Sequence, residues 1–289
     1  MAKTISEAFD IFHKRLTPNT TEANAAASHR ASIENCLKTN HKMTHFFKTG
    51  SNGNGTSISG YSDTDYFAVL PTDQFTTDSY YSLTKVKDTL DTRFPRTGVR
   101  ISSPAIVLPF GQFRWEDIEV TPADYVKNEN GYDIYEIADG NRGWMKASPD
   151  AHNAYVKSVN TKLSNKVKPL IRFMKAWKYY KDVPINSFFL ELRTTKFASG
   201  ENSIVYSIDI KNLLKNMLDS KLASIQDPMG VSGLIAACKT NTYKQDSLTK
   251  LETAYNRAVK ANELEKAGKI QDAFAMWNTF FNGKFPAYS

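Results

Sequence analysis

The sequence predicts an α+β fold in which a mixed β-sheet comes first and a C-terminal lobe of helices follows. Strand-like segments with alternating or continuous apolar residues lie between residues 61 and 122. From Ser148 onward, apolar residues recur at the 3.6-residue period of a helix. The chain has 289 residues, 41% of them hydrophobic, so it can form one large domain or two fused lobes.

The first half of the chain divides into helices, a loop and strands. Residues 1–48 are predicted to be helical, because apolar residues such as Phe9 and Phe12 follow the helical period. Residues 50–60 hold four glycines and three serines, which is typical of a loop. A strand ending at Pro71 follows, and a helix is predicted over 82–90. Two further strand candidates are 99–110 and 114–122, and we expect about five strands in all.

The second half is predicted to be helical. Ser148 can cap a helix that has Pro149 at its first position. Further helices are predicted at 168–180, at 248–266 before Gly268, and at 270–281. We therefore expect a sheet-containing core in residues 1–150 and a helical lobe in residues 151–289.

Composition limits the classes of partner. The net charge is +7 and the pI is near 9.1, which suits polyanionic ligands such as nucleotides. The two cysteines form no zinc pattern, as expected for thiols in a reducing compartment. No apolar run reaches the roughly 20 residues of a membrane helix, and the N-terminus lacks the apolar core of a signal peptide. These features predict a cytoplasmic protein with no membrane partner.

Gly50 and Ser51 follow the N-terminal helices directly. Glycine lets backbone amides approach a phosphate closely, and the serine hydroxyl adds a donor. A Walker A loop is excluded, because no Gly-Lys-Ser/Thr tripeptide occurs. By themselves, these two residues are also compatible with an ordinary turn.

Carboxylates come next, in Ser62-Asp63-Thr64-Asp65. Residues i and i+2 of a strand share a face, so Asp63 and Asp65 project side by side. Two adjacent carboxylates repel each other unless a cation lies between them, and hard oxygen ligands suit Mg²⁺ or Mn²⁺. The strand at 114–122 offers Asp117 and Glu119 on one face as a third ligand.

Together these residues resemble the signature of polymerase-β-type nucleotidyltransferases: Gly50-Ser51, then Gly55-Thr56, then Asp63-x-Asp65. Within that superfamily the sequence is most similar to the cyclic GMP-AMP synthase and oligoadenylate synthetase group, and in particular to its bacterial members in anti-phage defence. The resemblance extends nearly to the C-terminus through the stretches IEVTPA, GWMKASPDAH, KPLIRFMKAWKYY, INSFFLE and W-x-x-F-F-x-x-K-F-P. It implies a polymerase-β-like nucleotidyltransferase core with a mixed sheet, and a helical lobe that completes the nucleotide cleft.

The resemblance also implies roles for individual residues. Glu119 takes the place of the third metal-binding and catalytic carboxylate, beside Asp63 and Asp65, although many relatives have aspartate there and Asp117 remains an alternative. Gly50 and Ser51 are implied to bind the nucleotide.

Three further nucleotide-binding residues are implied in the helical lobe. Lys175 matches a lysine that contacts the donor triphosphate, and Ser187 matches a phosphate-contacting serine. Phe188 matches an aromatic residue that stacks on a base. From periodicity alone, Lys175 would belong to a solvated basic row with Lys168 and Arg172, and Phe188 could equally be a core residue.

The implied activity is a metal-dependent synthesis of a cyclic di- or trinucleotide second messenger from ATP and/or GTP, with release of pyrophosphate. Mg²⁺ or Mn²⁺ would be the cofactor, and a downstream effector would read the product. A linear oligoadenylate synthetase, an RNA-tailing enzyme and a non-enzymatic nucleotide-sensing or nucleic-acid-binding module are the alternatives. No zinc-ribbon insertion is visible, which argues against direct activation by DNA.

Overall fold

The computed structural model describes residues 2–289, with side chains for all of these except Ala23, Ala25, Ala26, Ser28 and Arg114. In this part of the chain the helices are α1 (Ile5–Leu16), α2 (Thr20–Ser28), α3 (Arg30–His41), α4 (Gly50–Asn54), α5 (Ser79–Arg93), α6 (Pro149–Lys162), α7 (Val167–Tyr180), α8 (Ser187–Ser199), α9 (Tyr206–Asp219), α10 (Asn241–Lys266) and α11 (Ile270–Phe280). The strands are β1 (His45–Lys48), β2 (Thr64–Leu70), β3 (Arg100–Ser102), β4 (Ala105–Pro109), β5 (Asp117–Glu129), β6 (Tyr132–Ala138), β7 (Trp144–Ala147), β8 (Ile225–Gln226) and β9 (Leu234–Ile235). This order of elements confirms the predicted α+β class.

The first seven strands form one sheet in the order β1-β2-β5-β4-β3, and β6 and β7 extend it from β5. The sheet is mixed, because β2 and β5 are parallel whereas the other neighbours are antiparallel. Within residues 2–289 it has two strands more than the five expected from the sequence. The extra pair arises because β5 is long, and its second half pairs with β6.

Alternation along β2 directs its side chains to two different cores. Tyr66 and Leu70 belong to the larger cluster, where the sheet packs against α3 and α5. Phe67 and Val69 belong to a smaller cluster on the opposite face. By the two-residue period of a strand, Asp65 lies on the same face as Phe67. The carboxylate of β2 is therefore on the face that carries the smaller core.

The sequence-based extension of the N-terminal helices to residue 48 is wrong, because residues 45–48 form β1. This strand pairs antiparallel with β2 over its whole length. Phe46 stacks on Tyr66 with ring centroids 4.6 Å apart. Aromatic residues favour strands when a cross-strand partner is available, and this partner lies 20 residues away in sequence.

The chain forms two compact units, which differ from the sequence-based division after residue 150. The sheet unit comprises Pro18–Tyr155 and Met229–Ser232. The helical unit comprises Met1–Thr17, Val156–Pro228 and Gly233–Ser289, so it includes α1. In that unit Phe12 of α1 lies against Phe173 and Phe281, with ring centroids 5.8 and 4.6 Å away. No helix in residues 2–289 has both the length and the apolarity that a membrane span requires.

Candidate active site

The segment 50–60, which the sequence predicts to be a loop, begins instead with the short helix α4. We keep the name glycine-rich loop for this segment, and its start at Gly50 is held directly against the strand that bears Asp65. The Thr49 amide donates a hydrogen bond to the Asp65 carbonyl oxygen at 2.9 Å. Gly50 has a φ of 55°, and a Cβ at this position would lie 2.0 Å from the Asp65 Oδ2 atom. Only glycine combines that backbone conformation with so close an approach. Gly50 therefore allows the loop with Ser51 to lie beside the carboxylate.

Asp63 lies just before β2 and Asp65 lies within it, so their spacing of two residues predicts that they share one side of the chain. Both are half-buried, whereas Ser62, Thr64 and Tyr66 between and around them are buried. The side-chain amide of Asn52 donates a hydrogen bond to the Asp63 carbonyl oxygen at 2.6 Å. The loop is thus tied to the backbone of both aspartates.

Glu119 is the register partner of Asp65 across the parallel pair β2 and β5. Neighbouring strands are about 4.8 Å apart, so these two residues are adjacent on one face of the sheet. The first paired residues, Thr64 and Ile118, are preceded by Asp63 and Asp117. We call these four residues the acidic edge: Asp63, Asp65, Asp117 and Glu119.

The register also separates the two candidates for the third carboxylate. Glu119 lies directly beside Asp65, whereas Asp117 precedes the first paired residue of β5. On its other side, Asp117 is opposite Pro109 and Glu119 is opposite Val107. Adjacency to Asp65 is the geometry that a shared metal ion requires, so it favours Glu119.

The donor set of the acidic edge fits a hard divalent cation, since it consists of carboxylate oxygens and no sulfur or imidazole. Within residues 2–289, no three His, Cys, Asp or Glu side chains converge closely enough to enclose a metal ion. The backbone therefore brings the carboxylates to one place, and their side-chain groups are not gathered around a common point.

Glu22 of α2 anchors the far end of the glycine-rich loop. Its Oε1 atom accepts hydrogen bonds from the Gly60 amide at 2.6 Å and from the Ser59 hydroxyl at 3.0 Å. Its Oε2 atom accepts from the Asn19 amide, which completes the capping box of α2. This anchor was not found from the sequence. The capping box Asn19-x-x-Glu22 is a recognisable signal, but it does not reveal the second use of the carboxylate.

An open groove of about 500 Å³ lies beside Glu119, entirely within the sheet unit. The first residues of β5 form one wall of the groove. Strand β3 and the chain after β4 form the other walls. Its lining includes Arg100, Ser102, Val107, Phe113, Asp117 and Glu119.

In the helical unit, Lys175 is not on a solvated face. It is 2% exposed, and its ammonium group lies 2.5 Å from the Glu191 carboxylate. Burial also lowers the pKa of both Lys168 and Arg172. The solvated-row interpretation is therefore wrong, because α8 supplies a buried counter-charge to α7.

Ser187 is contacted by a lysine that the sequence analysis did not select. The Lys178 ammonium donates a short hydrogen bond to the Ser187 hydroxyl. It also lies 4.8 Å from the ring centroid of Tyr179, whose hydroxyl is 3.5 Å from the same serine oxygen. A signal was present, since Lys178 lies one turn beyond Lys175 on α7.

The two neighbouring phenylalanines of α8 have different environments. Phe188 is 37% exposed, whereas Phe189 is fully buried. The Asn186 side chain caps this helix by accepting a hydrogen bond from the Phe188 amide at 2.9 Å. Phe189 therefore takes the core position, and the ring of Phe188 is accessible to a stacking partner.

Comparison with solved structures shows the same fold over nearly the whole chain. The E. coli MS115-1 CdnC with ATP superposes with a TM-score of 0.74 at 16% identity, covering 98% of this chain and 99% of that one. The Elizabethkingia meningoseptica CdnE cyclic dinucleotide synthase with GTP and Apcpp gives 0.67 at 14% identity, covering 87% and 97%. The Vibrio cholerae DncV cyclic AMP-GMP synthase with a linear intermediate gives 0.65 at 12% identity, covering 98% and 87%.

The sequence was also compared with curated proteins and with models of protein families. No curated protein matches the chain. The model of the Second Messenger Oligonucleotide or Dinucleotide Synthetase domain matches residues 3–160, which is more than half of the 289 residues and includes the whole acidic edge. The chain therefore belongs to the Second Messenger Oligonucleotide or Dinucleotide Synthetase family and is a nucleotidyltransferase.

Proposed function

We propose that the protein joins ATP and/or GTP into a cyclic di- or trinucleotide, with release of pyrophosphate and with Mg²⁺ or Mn²⁺ as cofactor. The observation that carries this proposal is the register that sets Glu119 beside Asp65, next to the loop at Gly50. Membership of a family of oligonucleotide and dinucleotide synthetases supports it.

Asp63, Asp65 and Glu119 would hold the divalent cation. When bound, the cation supplies charge neutralisation at the reacting phosphate and lowers the pKa of the attacking ribose hydroxyl. The Glu119 carboxylate would also accept the proton of that hydroxyl.

Each unit contains residues that we propose as contacts of the donor nucleotide. Gly50 and Ser51 contribute backbone and hydroxyl donors to the phosphates. Ser187 would contact the triphosphate, and so would Lys178, which donates a hydrogen bond to the Ser187 hydroxyl. Phe188 would stack on the base. Lys175 would contribute directly only if it left Glu191, because in the observed arrangement it joins α7 to α8 through that ion pair.

The resemblance to the bacterial anti-phage enzymes supports a role in signalling, in which a downstream effector reads the product. The same residues would serve a synthase of linear oligonucleotides, because both reactions make the same phosphodiester bond. The difference is whether the ribose hydroxyl at one end of the product attacks the triphosphate at its other end before release, which closes the ring.

The experiment is incubation of the purified protein with all pairs of ribonucleoside triphosphates and Mg²⁺ or Mn²⁺, followed by pyrophosphate assay. The product is then treated with phosphatase and identified by mass spectrometry. A phosphatase-resistant di- or trinucleotide is expected, and its amount should not rise on addition of double-stranded DNA. Phosphatase-sensitive chains would contradict the cyclic product, and absence of pyrophosphate release would contradict the activity itself.

A further inference from the structure

One carboxylate outside the acidic edge holds the chain that leads into it. The Oε1 atom of Glu22, on α2, accepts hydrogen bonds from the Ser59 hydroxyl at 3.0 Å and from the Gly60 amide at 2.6 Å. These contacts span 37 and 38 residues of sequence, so they join two separate parts of the sheet unit. Gly60 lies only three residues before Asp63.

The contacts with the loop use an oxygen atom that helix capping leaves free. The Oε2 atom of Glu22 accepts a hydrogen bond from the Asn19 amide at 2.8 Å, which is the capping-box contact of α2. A capping box requires only one acceptor atom from this side chain. The second oxygen of the carboxylate therefore does not serve the cap, and both of its partners belong to the glycine-rich loop.

The turn that Glu22 holds, residues 58–62, is closed by its own hydrogen bonds. The Tyr61 and Ser62 amides donate to the Ile58 carbonyl oxygen at 3.1 and 3.0 Å. In return, the Ile58 amide donates to the Ser62 hydroxyl at 2.8 Å. Ile58 and Ser62 are buried, whereas Gly60 at the tip is exposed. A small network of this kind is rigid, so a contact at its tip also fixes the chain that leaves it.

Asp63 is the residue that leaves this turn. It precedes Thr64, the first paired residue of β2, so its position depends on contacts outside the strand ladder. On the side of the loop's first residues, the Asn52 side-chain amide donates to the Asp63 carbonyl oxygen at 2.6 Å. On the other side, the chain is fixed by the turn. Asp65 differs, because it lies within the paired part of β2.

We propose that Glu22 is a positioning residue for nucleotidyl transfer, which fixes the 58–62 turn and, through it, Asp63 as a ligand of the divalent cation. The inference rests on the proposed function, since it requires Asp63 and Asp65 to bind the cation. Removal of a group that orients a metal ligand typically lowers metal affinity by about ten- to a hundredfold. Glu22 acts through the turn rather than on the ligand itself, so the lower end of this range is expected.

Binding of Mn²⁺ measures this role without turnover. Carboxylate sites that suit Mg²⁺ also suit Mn²⁺, and unbound Mn²⁺ is quantified by electron paramagnetic resonance. Glu22→Ala should raise the Kd of Mn²⁺ about tenfold. Pyrophosphate release at subsaturating metal should fall with it, and a higher metal concentration should restore the rate. Loss of folded protein would not be restored in this way.

Ser59→Ala tests the contact from the side of the loop. It removes one of the two hydrogen bonds to Glu22 and leaves the helix cap in place, so the Kd of Mn²⁺ should rise about threefold. In the Glu22→Ala background, Ser59→Ala should have no further effect, because the contact is already lost. Ser59→Ala also provides the test if Glu22→Ala does not fold.

Asn19→Ala is the matched control. It removes the side-chain oxygen that accepts from the Glu22 amide at 3.0 Å, but keeps the Glu22 carboxylate. The melting temperature should fall, because the capping box is weakened. The Kd of Mn²⁺ should stay within about twofold of the wild-type value, because the contact with the loop is retained.

The outcomes distinguish the positioning role from the proposed function. Wild-type Mn²⁺ affinity in Glu22→Ala, or in Ser59→Ala if Glu22→Ala does not fold, would overturn the positioning role alone. An equal loss of affinity in Asn19→Ala would also overturn it, since Glu22 would then act only through the stability of α2. If Asp63→Asn with Asp65→Asn binds Mn²⁺ as tightly as the wild type, the acidic edge is not the metal site, and the positioning role fails with it.

Discussion

The two compact units use acidic side chains in different ways: one collects several at the end of a strand pair, and the other buries Glu191 against a lysine. At the acidic edge, parallel pairing of β2 and β5 places like charges on adjacent strands. In the helical unit, Glu191 is matched by Lys175 at 2.5 Å. Like charges on neighbouring strands repel each other, whereas the members of a buried opposite pair attract each other.

We expect this difference to separate residues that serve a ligand from residues that serve the fold. Neutralising the acidic edge should remove activity and leave stability intact or improved. Removing one partner of the buried pair should do the reverse. An acidic-edge variant that loses stability but keeps activity, or a buried-pair variant that loses activity but keeps stability, would contradict this distinction.

The largest effect is expected from the double variant Asp63→Asn with Asp65→Asn, which should reduce product formation to background. Asparagine is nearly isosteric but neutral, so it binds Mg²⁺ far more weakly. Without metal, the melting temperature should be equal to or higher than that of the wild type, because repulsion is relieved. Pyrophosphate release and thermal melting with and without Mg²⁺ measure both quantities.

The matched control neutralises two exposed acids of the same unit, Asp73 and Asp88, to asparagine. It should retain activity and the metal-dependent gain in melting temperature. Activity close to wild type in the Asp63/Asp65 variant would eliminate the acidic edge as the metal site.

Lys175→Ala should lower the free energy of unfolding by about 3–5 kcal/mol, because Glu191 is left buried without its partner. Replacing both residues by methionine should recover most of that loss, since an apolar pair of similar volume carries no buried charge. Urea denaturation of the three proteins measures the difference. If Lys175→Ala instead keeps its stability and loses nucleotide affinity, Lys175 is the triphosphate contact that the sequence resemblance implies.

Lys178→Ala should weaken nucleotide binding by about 1.5–3 kcal/mol, the cost of one charge-assisted hydrogen bond to phosphate. The lysine is partly exposed beside Ser187, so its removal should change stability little. Calorimetric titration with a non-hydrolysable triphosphate gives the affinity. Lys162→Ala, an exposed lysine of the same unit, serves as control and should bind like the wild type. Equal affinities in all three proteins would remove Lys178 from the phosphate site.

Much of the acidic edge was predictable because its signals are local. The spacing of Asp63 and Asp65 gives a shared face, and the apolar run after them gives a buried strand. The hairpin of β5 and β6 was missed, although Asn130-Gly131 is a strong signal for it. Both residues have positive φ, as a two-residue hairpin turn requires. The second half of β5 is polar and exposed, so its pattern did not indicate a strand.

Other features depend on contacts that no local pattern contains. The pairing of Lys175 with Glu191 joins two helices, and periodicity alone places Lys175 on a polar row. The membership of α1 in the helical unit depends on aromatic contacts with residues more than 150 positions away. The adjacency of Glu119 and Asp65 becomes visible only once strand order and register are known.

The smallest expected effect concerns His13, which is hydrogen-bonded to Arg172 in the helical unit. The Arg172 guanidinium donates a hydrogen bond to the His13 Nε2 atom at 2.8 Å, so this imidazole is neutral. Burial, followed by the charge of Arg172, lowers the pKa of His13 below its usual 6.5, and Asp10 opposes the shift only partly. The unfolded chain therefore binds the proton more readily, and the free energy of unfolding should fall as pH drops below about 6.5.

Thermal melting between pH 7.5 and 5 should show a smaller decrease for His13→Gln than for the wild type. Part of the decrease should persist in that variant, because burial also lowers the pKa of His29 and His41. His45→Gln changes an exposed histidine and should leave the wild-type decrease in place. An identical pH dependence in His13→Gln and the wild type would mean that the contact with Arg172 does not oppose protonation. In that case the comparison between the units would rest on carboxylates alone.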